Sequence, residues 1–293
     1  MNAKTKNIIA MSVFGTLSIF VRNISLSSLE MAFWRGLIAI TVLFAVQKLI
    51  IRQPFHAISR SQKLLLLFSG MAIGLNWVLL FMAYEYTSVA AATLAYYFAP
   101  VIVMALCPLL FKEKMTLFQF FCFLMATTGL FLVIGGGQNL NMGSLRGILY
   151  GLGAACFYAS VILMNKFICE GNGLERTVIQ FAGAIALLFI IIVFHGGFHI
   201  QNSSLFSLAN LLAIGILHTG ICYCLYFSSI KELKGQQTAI LSYIDPFVAI
   251  LVSVFVFHEP VQILQGAGAV LILGFTCLYE LKSRPSKNDY AKA

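Results

Sequence analysis

Charge is scarce in this chain: Asp, Glu, Lys and Arg make up 10% of its 293 residues, ten acids against nineteen bases. A soluble domain carries about 25% charged residues, so most of this molecule cannot face water. Cysteine is sparse and odd in number, seven in all, which offers no disulfide framework. Cys222-x-Cys224 sets its side chains about 200° apart on a helix, unsuited to a shared metal. Gly266-x-Gly268 and Gly135-Gly136-Gly137 lack the strand and βαβ surroundings that a phosphate-cradling loop needs, so no cofactor is expected. There is no His-Glu-x-x-His and no Gly-x-Ser-x-Gly. Nothing resembles a basic groove interleaved with aromatics, which removes nucleic acid as a partner.

What the chain has instead is apolar length. Apolar residues reach 60% and mean hydropathy +0.92, the composition of a protein whose solvent is a lipid bilayer. One crossing takes about 20 residues, and charged or Gly/Asn-rich breaks divide the chain into ten apolar stretches at about 7–22, 30–51, 63–84, 88–111, 115–135, 146–168, 175–195, 205–230, 235–257 and 261–281. These runs are too long for strands and lack period-two alternation. Lys4 and Lys6 precede the first, but no small-x-small site stands before Arg22, so it reads as a retained helix. The expectation is an all-α integral membrane protein of ten transmembrane helices.

A repeat runs through it. Tyr97, Pro100, Phe111, Glu113 and Gln119 return at one constant offset as Tyr243, Pro246, Phe257, Glu259 and Gln265. The halves are 1–140 and 141–282, with 283–293 as a cytoplasmic tail. Lys and Arg are retained on the cytoplasmic side; with the amino terminus inside, all nineteen except Arg22, Arg35 and Arg146 fall on that side. Both termini then face the cytoplasm, and five helices per half make the two copies inverted. Glu85, in an expected outer loop, aligns with Lys231 in an inner one. The net charge of +9 reports orientation.

Two sets of small residues, Gly70-x-x-x-Gly74 and Gly143-x-x-x-Gly147-x-x-x-Gly151, line helical stripes that let backbones approach in lipid. Spacing does not decide whether they meet within one chain or between subunits of a homo-oligomer.

The Phe33-Trp34-Arg35-Gly36 run, Asn76-Trp77, Ala83-Tyr84, Pro100 and the Glu113 and Glu259 span ends together resemble the drug/metabolite transporter superfamily, specifically its EamA type. The resemblance covers nearly the whole chain. It implies two inverted five-helix repeats around a central cavity, moving a small-molecule cargo (an amino acid, a related metabolite or a drug) by alternating access across the cell membrane, often outward. It does not name the cargo.

The residues of the centre read the same way. Pro100 and Pro246 fall near the middle of the fourth and ninth stretches, where each removes the N–H that would bond the carbonyl of Tyr96 or Ser242. Freed acceptors in hydrocarbon need protein, water or cargo; the alternative is a pair of supported structural kinks. Asp245 lies at mid-membrane depth, where an acid costs about 2.5–3.5 kcal/mol, and shares a helical stripe with Thr238, Ser242, Ala249 and Ser253. It reads as a proton carrier or a counter-ion for cationic cargo, against an internally bonded carboxyl that fixes the kink. Arg35, beside Trp34, either grips a carboxylate through two parallel bonds or snorkels outward to Glu30 or Glu85. Asn76, Trp77, Tyr96, Tyr97, Tyr158, His218, Tyr223, Tyr226 and Tyr243 complete the candidate lining, with His218 reading first as a satisfied core histidine. Glu113 and Glu259 read first as helix starts. A passive channel or scaffold stays open as a rival; an intramembrane enzyme lacks a second mid-membrane acid to partner Asp245.

Overall fold

The computed structural model describes residues 1–21, 23–52, 56–86, 95–112, 115–135, 145–195, 197–198, 204–258 and 263–282. Among these, every regular element is a helix. We number them α1 (Ala3–Phe14), α2 (Leu17–Val21), α3 (Ser28–Ala45), α4 (Arg60–Tyr86), α5 (Ala99–Phe111), α6 (Leu117–Gly135), α7 (Leu145–Phe167), α8 (Gly173–Phe194), α9 (Leu205–Ala213), α10 (Cys222–Glu232), α11 (Gly235–Leu241), α12 (Ile244–Phe255) and α13 (Ile263–Lys282). Widened π-turns at Val46–Ile51 and Ile214–Ile221 extend α3 and join α9 to α10.

Local chemistry sets the helix starts. Asn2 accepts from the Thr5 N–H at 2.8 Å, and Ser27 from the Glu30 N–H at 3.2 Å. At α8, Asn172 and Glu175 satisfy each other's free N–H groups at 3.0 and 2.9 Å. Five helical stretches are long and apolar enough to cross a membrane: Ser28–Leu49, Arg60–Leu80, Leu145–Phe167, Gly173–Phe194 and Leu205–Glu232. Ala99–Phe111, Leu117–Leu132 and Gly266–Tyr279 are shorter apolar helices.

Four stretches are less continuous than their hydropathy implies. The first breaks at Gly15–Thr16 between α1 and α2; the eighth passes through the π-turn; the ninth is two helices, α11 and α12, parted at Ser242–Tyr243. Residues 97–98 break the fourth at the matching place.

The packing pattern survives exchange of the two halves. α1 packs on α10 as α7 packs on α4; α3 packs on the 214–221 turn as α8 packs on α4; α12 packs on α1 as α5 packs on α7. Two further pairs, α3 with α8 and α6 with α13, join equivalent helices of the two halves, so the exchange maps each onto itself.

Close approach at small residues holds the largest of these contacts. Gly70 lies against the backbone of Gln180, Gly74 against Ala184, and Gly183 against the Leu67 carbonyl, so the Gly70/Gly74 stripe is an internal α4–α8 seam. Gly147 and Gly151 are buried on α7; Gly143 lies outside the described residues. Ser69 ties the same block together, accepting from Gln180 at 2.8 Å and Asn165 at 3.3 Å. At the end carrying Lys166, the buried Arg176 guanidinium donates to the carbonyls of Ile168, Glu170 and Gly171, capping α7. Glu175 accepts from the His56 N–H at 2.8 Å and lies 2.7 Å from its Nδ1.

The α4–α8 seam makes a direct expectation. A Cβ at position 70 has no space short of the Gln180 backbone, whereas one at Gly266 meets nothing within 4 Å. Gly70→Ala is expected to destabilise the purified protein by about 1–3 kcal/mol, seen as an earlier thermal transition in detergent, with Gly266→Ala no less stable than the parent. Equal stability of the two variants would contradict the seam.

Candidate functional site

The two breaks in the fourth and ninth stretches place the candidate centre. Proline is tolerated in a helix's first turn, where no N–H partner is needed. Pro100 is the second residue of α5 and Pro246 the third of α12. The expected kinks with freed carbonyls are therefore corrected: each helix stops and restarts, and the Ser242 carbonyl is taken up by the Asp245 N–H at 3.3 Å. Asp245 stands in the first turn of α12, where the helix dipole favours a negative charge. It is half-buried, and the side chain of Tyr97 from the opposite break lies near its carboxyl.

Aromatic side chains wall this space. Tyr96 stacks on Tyr158 at 5.6 Å and 22°, and the Tyr158 and Tyr226 hydroxyls lie 2.9 Å apart. Tyr226 meets Tyr223 edge-on at 6.3 Å, and Trp77 meets Tyr223 edge-on at 6.2 Å. The Arg35 guanidinium lies 4.1 Å over the Trp77 ring. Arg35 is only 7% exposed, which removes the snorkelling alternative, and among the described residues it has no hydrogen-bond or ion-pair partner. Asp245 likewise has no charged partner among them. Tyr223 is near both charges.

Trp34 points to a neighbouring aromatic cluster, 5.3 Å from Phe33 and 5.5 Å from Phe198. His218, on the π-turn, pairs its Nε2 with Thr16 Oγ1 at 3.0 Å and packs edge-on to Phe20 at 5.0 Å. Two aromatics that spacing did not single out belong to the wall: Phe14 and Phe181, 5.0 and 5.2 Å from Tyr223. Each sits one helical face among many apolar ones, so no sequence signal marks it.

Three expected lining residues turn elsewhere. Asn76 donates to the Ala154 carbonyl at 2.7 Å, fastening α4 to α7. Ser242 bonds back to the Ala239 carbonyl at 2.7 Å. Tyr243 is wholly buried against Phe123, its hydroxyl 2.7 Å from Thr127 Oγ1. Thr238 and Ser242, expected to share a helical stripe with Asp245, lie on the other side of the break from it, and both are buried. Arg22, Glu113 and Glu259 lie outside the described residues, as do the side chains of Tyr84, Glu85, Ser253 and Gln265.

Known proteins share this architecture. The model of the EamA-like transporter family matches residues 7–135 and again 145–280. The chain is 30% identical over 295 residues to the uncharacterized transporter YxxF of Bacillus subtilis (strain 168), covering 99% of this chain and 93% of that one. It is 28% identical over 271 residues to an uncharacterized transporter of Archaeoglobus fulgidus, covering 89% and 90%. A crystal structure of another protein superposes with a TM-score of 0.82 over 96% of this chain and 99% of that chain, at 18% identity, a likeness of fold alone.

Asn76 separates packing from function. Asn76→Ala removes one buried interhelical bond, and such bonds in lipid contribute about 0.6–1.7 kcal/mol. The variant is expected to lose that much unfolding stability in bicelles while leaving cargo affinity unchanged. A loss of affinity at unchanged stability would return Asn76 to the lining.

Proposed function

The chain belongs to the EamA-like transporter family, and from that membership we propose that it is a secondary carrier of a small, charged metabolite, working by alternating access and directed outward. It is a multi-pass membrane protein of a transporter family. The finer reading is ours: ten spans in two inverted five-helix repeats, 1–140 and 141–282, with both termini in the cytoplasm and the cell membrane as its site. Two things support the inversion. The basic residues segregate to one side under that topology, and the largest helix contacts recur when the halves are exchanged.

One observation carries the functional reading. A guanidinium and a carboxylate stand inside the apolar protein around a shared aromatic wall, and neither has a charged partner among the described residues. An intramembrane charge is costly, and one left without a counter-ion is a site for something that arrives. Arg35, held 4.1 Å over the Trp77 ring, offers its guanidinium to an acidic group of the cargo. Asp245, at a helix N-terminus beside a tyrosine, is the group that takes up a proton or a cargo cation. Burying either charge behind a closed gate favours the loaded state over the empty one, which is the energetic condition for a carrier.

Counterflow in proteoliposomes tests the carrier against a channel or scaffold, since only a carrier exchanges labelled cargo against an opposing gradient. With Asp245→Asn, uptake driven by a pH gradient is expected to vanish while cargo exchange stays measurable; unchanged pH-driven uptake would remove Asp245 from coupling. Arg35→Lys is expected to weaken acid-bearing cargo about ten- to a hundred-fold, the loss of a charged bond of about 1.5–3 kcal/mol, and to spare the amide analogue, because an ammonium lacks the planar fork. For topology, single cysteines at Ser61 and Asn288 in a cysteine-free background should resist an impermeant thiol reagent in right-side-out vesicles, and one at Ser203 should react.

A further inference from the structure

Two helices of the second repeat meet in the chamber wall and are fastened to each other again at their ends. α7 and α10 bring the Tyr158 and Tyr226 hydroxyls to 2.9 Å. α7 ends at Phe167 and α10 at Glu232, and the last carbonyls of a helix have no donors within it. A lysine in the last turn can supply one to its own helix. Here the lysines are exchanged. Lys166, in the last turn of α7, donates to the carbonyl of Leu233, the residue that caps α10. Lys231, in the last turn of α10, donates at 2.8 Å to the carbonyl of Cys169, just past α7.

Other bonds converge on the same place. The Cys169 N–H donates to Gln62 of α4 at 2.9 Å, so one residue is held from α4 and from α10. Asn7 of α1 donates to Ser229 of α10 at 3.0 Å, and Lys6 lies 3.4 Å from Glu232. Gly173, at the start of α8, sits against the Cys224 carbonyl and Ser228. Tyr158 precedes Lys166 by eight residues and Tyr226 precedes Lys231 by five, about 12 and 8 Å along their helices. The exchanged bonds therefore close this pair of helices one to two turns beyond the chamber, at the end that the proposed topology puts in the cytoplasm.

The repeat does not copy this arrangement to the other end. At the constant offset of the repeat, Lys166 matches Phe20 and Lys231 matches Glu85. Neither side chain offers an N–H, and Phe20 packs edge-on against His218 at 5.0 Å instead. A carrier built from two inverted halves is thus held differently at its two ends.

We propose that Lys166 and Lys231 form a reciprocal clasp that holds the cytoplasmic end of the chamber shut, so that α7 and α10 must part and break both bonds before cargo enters from that side. This rests on the reading of the chain as an alternating-access carrier. Each ammonium also meets the negative end of the opposite helix's dipole, so parting the helices loses both contacts together. Neither lysine reaches the chamber wall, and the clasp acts on access to the chamber without touching what the chamber grips.

A single cysteine in the chamber wall reads the clasp directly. The Phe14 ring lies 5.0 Å from Tyr223 and carries no polar group, so Phe14→Cys is placed in a cysteine-free full chain and labelled in membrane vesicles with an impermeant thiol reagent. In inside-out vesicles, adding Lys166→Met with Lys231→Met is expected to speed labelling about tenfold, the loss of charge-assisted donor bonds. Lys48→Met with Lys63→Met takes the same charge from two exposed residues of the same face and should leave the rate as it is. Labelling in right-side-out vesicles should rise in neither. Unchanged labelling in the Lys166/Lys231 variant of a protein that shows counterflow overturns the clasp alone. A rise that the Lys48/Lys63 variant matches, or one that comes from the outer side, does the same. A parent without counterflow overturns the carrier reading and the clasp's role in it. Size-exclusion profiles matching the parent would confirm that the comparison is between folded proteins.

Discussion

Hydrocarbon offers no hydrogen bonds, and the rest of the structure follows from that. Backbone groups must pair within the protein, which leaves helix as the regular structure for an apolar chain of this length. A helix can stop in mid-course only where its open ends find partners. The breaks before α5 and α12 meet that condition: Pro100 and Pro246 need no N–H partner, the Ser242 carbonyl is taken by the Asp245 N–H, and the α12 start holds an acid.

Polar side chains fall into two classes under the same constraint. Ser69, Asn165 and Gln180 bond one another across α4, α7 and α8; Asn7 bonds Ser229 across α1 and α10 at 3.0 Å; Asn76 bonds the Ala154 carbonyl. These are fasteners between helices. Arg35 and Asp245 form the other class, brought to one aromatic chamber and left without counter-ions among the described residues. The protein meets the cost of those charges through the tight packing around Gly70, Gly74 and Gly183, which keeps the walls in place without help from the site.

Duplication supplied a symmetric frame and then lost its symmetry at the centre. Helix contacts still exchange between halves. The chemistry does not: Asp245 matches Ala99 in the other repeat, and Thr127 matches Leu273. The two halves therefore differ chemically at their helix breaks, where the second carries an acid that the first lacks.

The membrane solvent, the helical class and the places of the two matched prolines were legible in the sequence, because each depends on composition, period or a repeated marker. Repeat markers at a constant offset marked the two prolines and the two tyrosines. Which side chains share a chamber was not legible. Asn76, Ser242 and Tyr243 stand at positions that an unbroken helix would turn inward, and only the tertiary structure turned them to Ala154, Ala239 and Thr127. Phe14 and Phe181 carry no signal in an apolar background, and the π-turn that sets His218 against Thr16 leaves no mark in hydropathy. Periodicity fixes direction only while a helix continues. Once it stops at residues 242–243 and restarts, the angle between the pieces is decided by what packs around them, and that is a property of the whole fold.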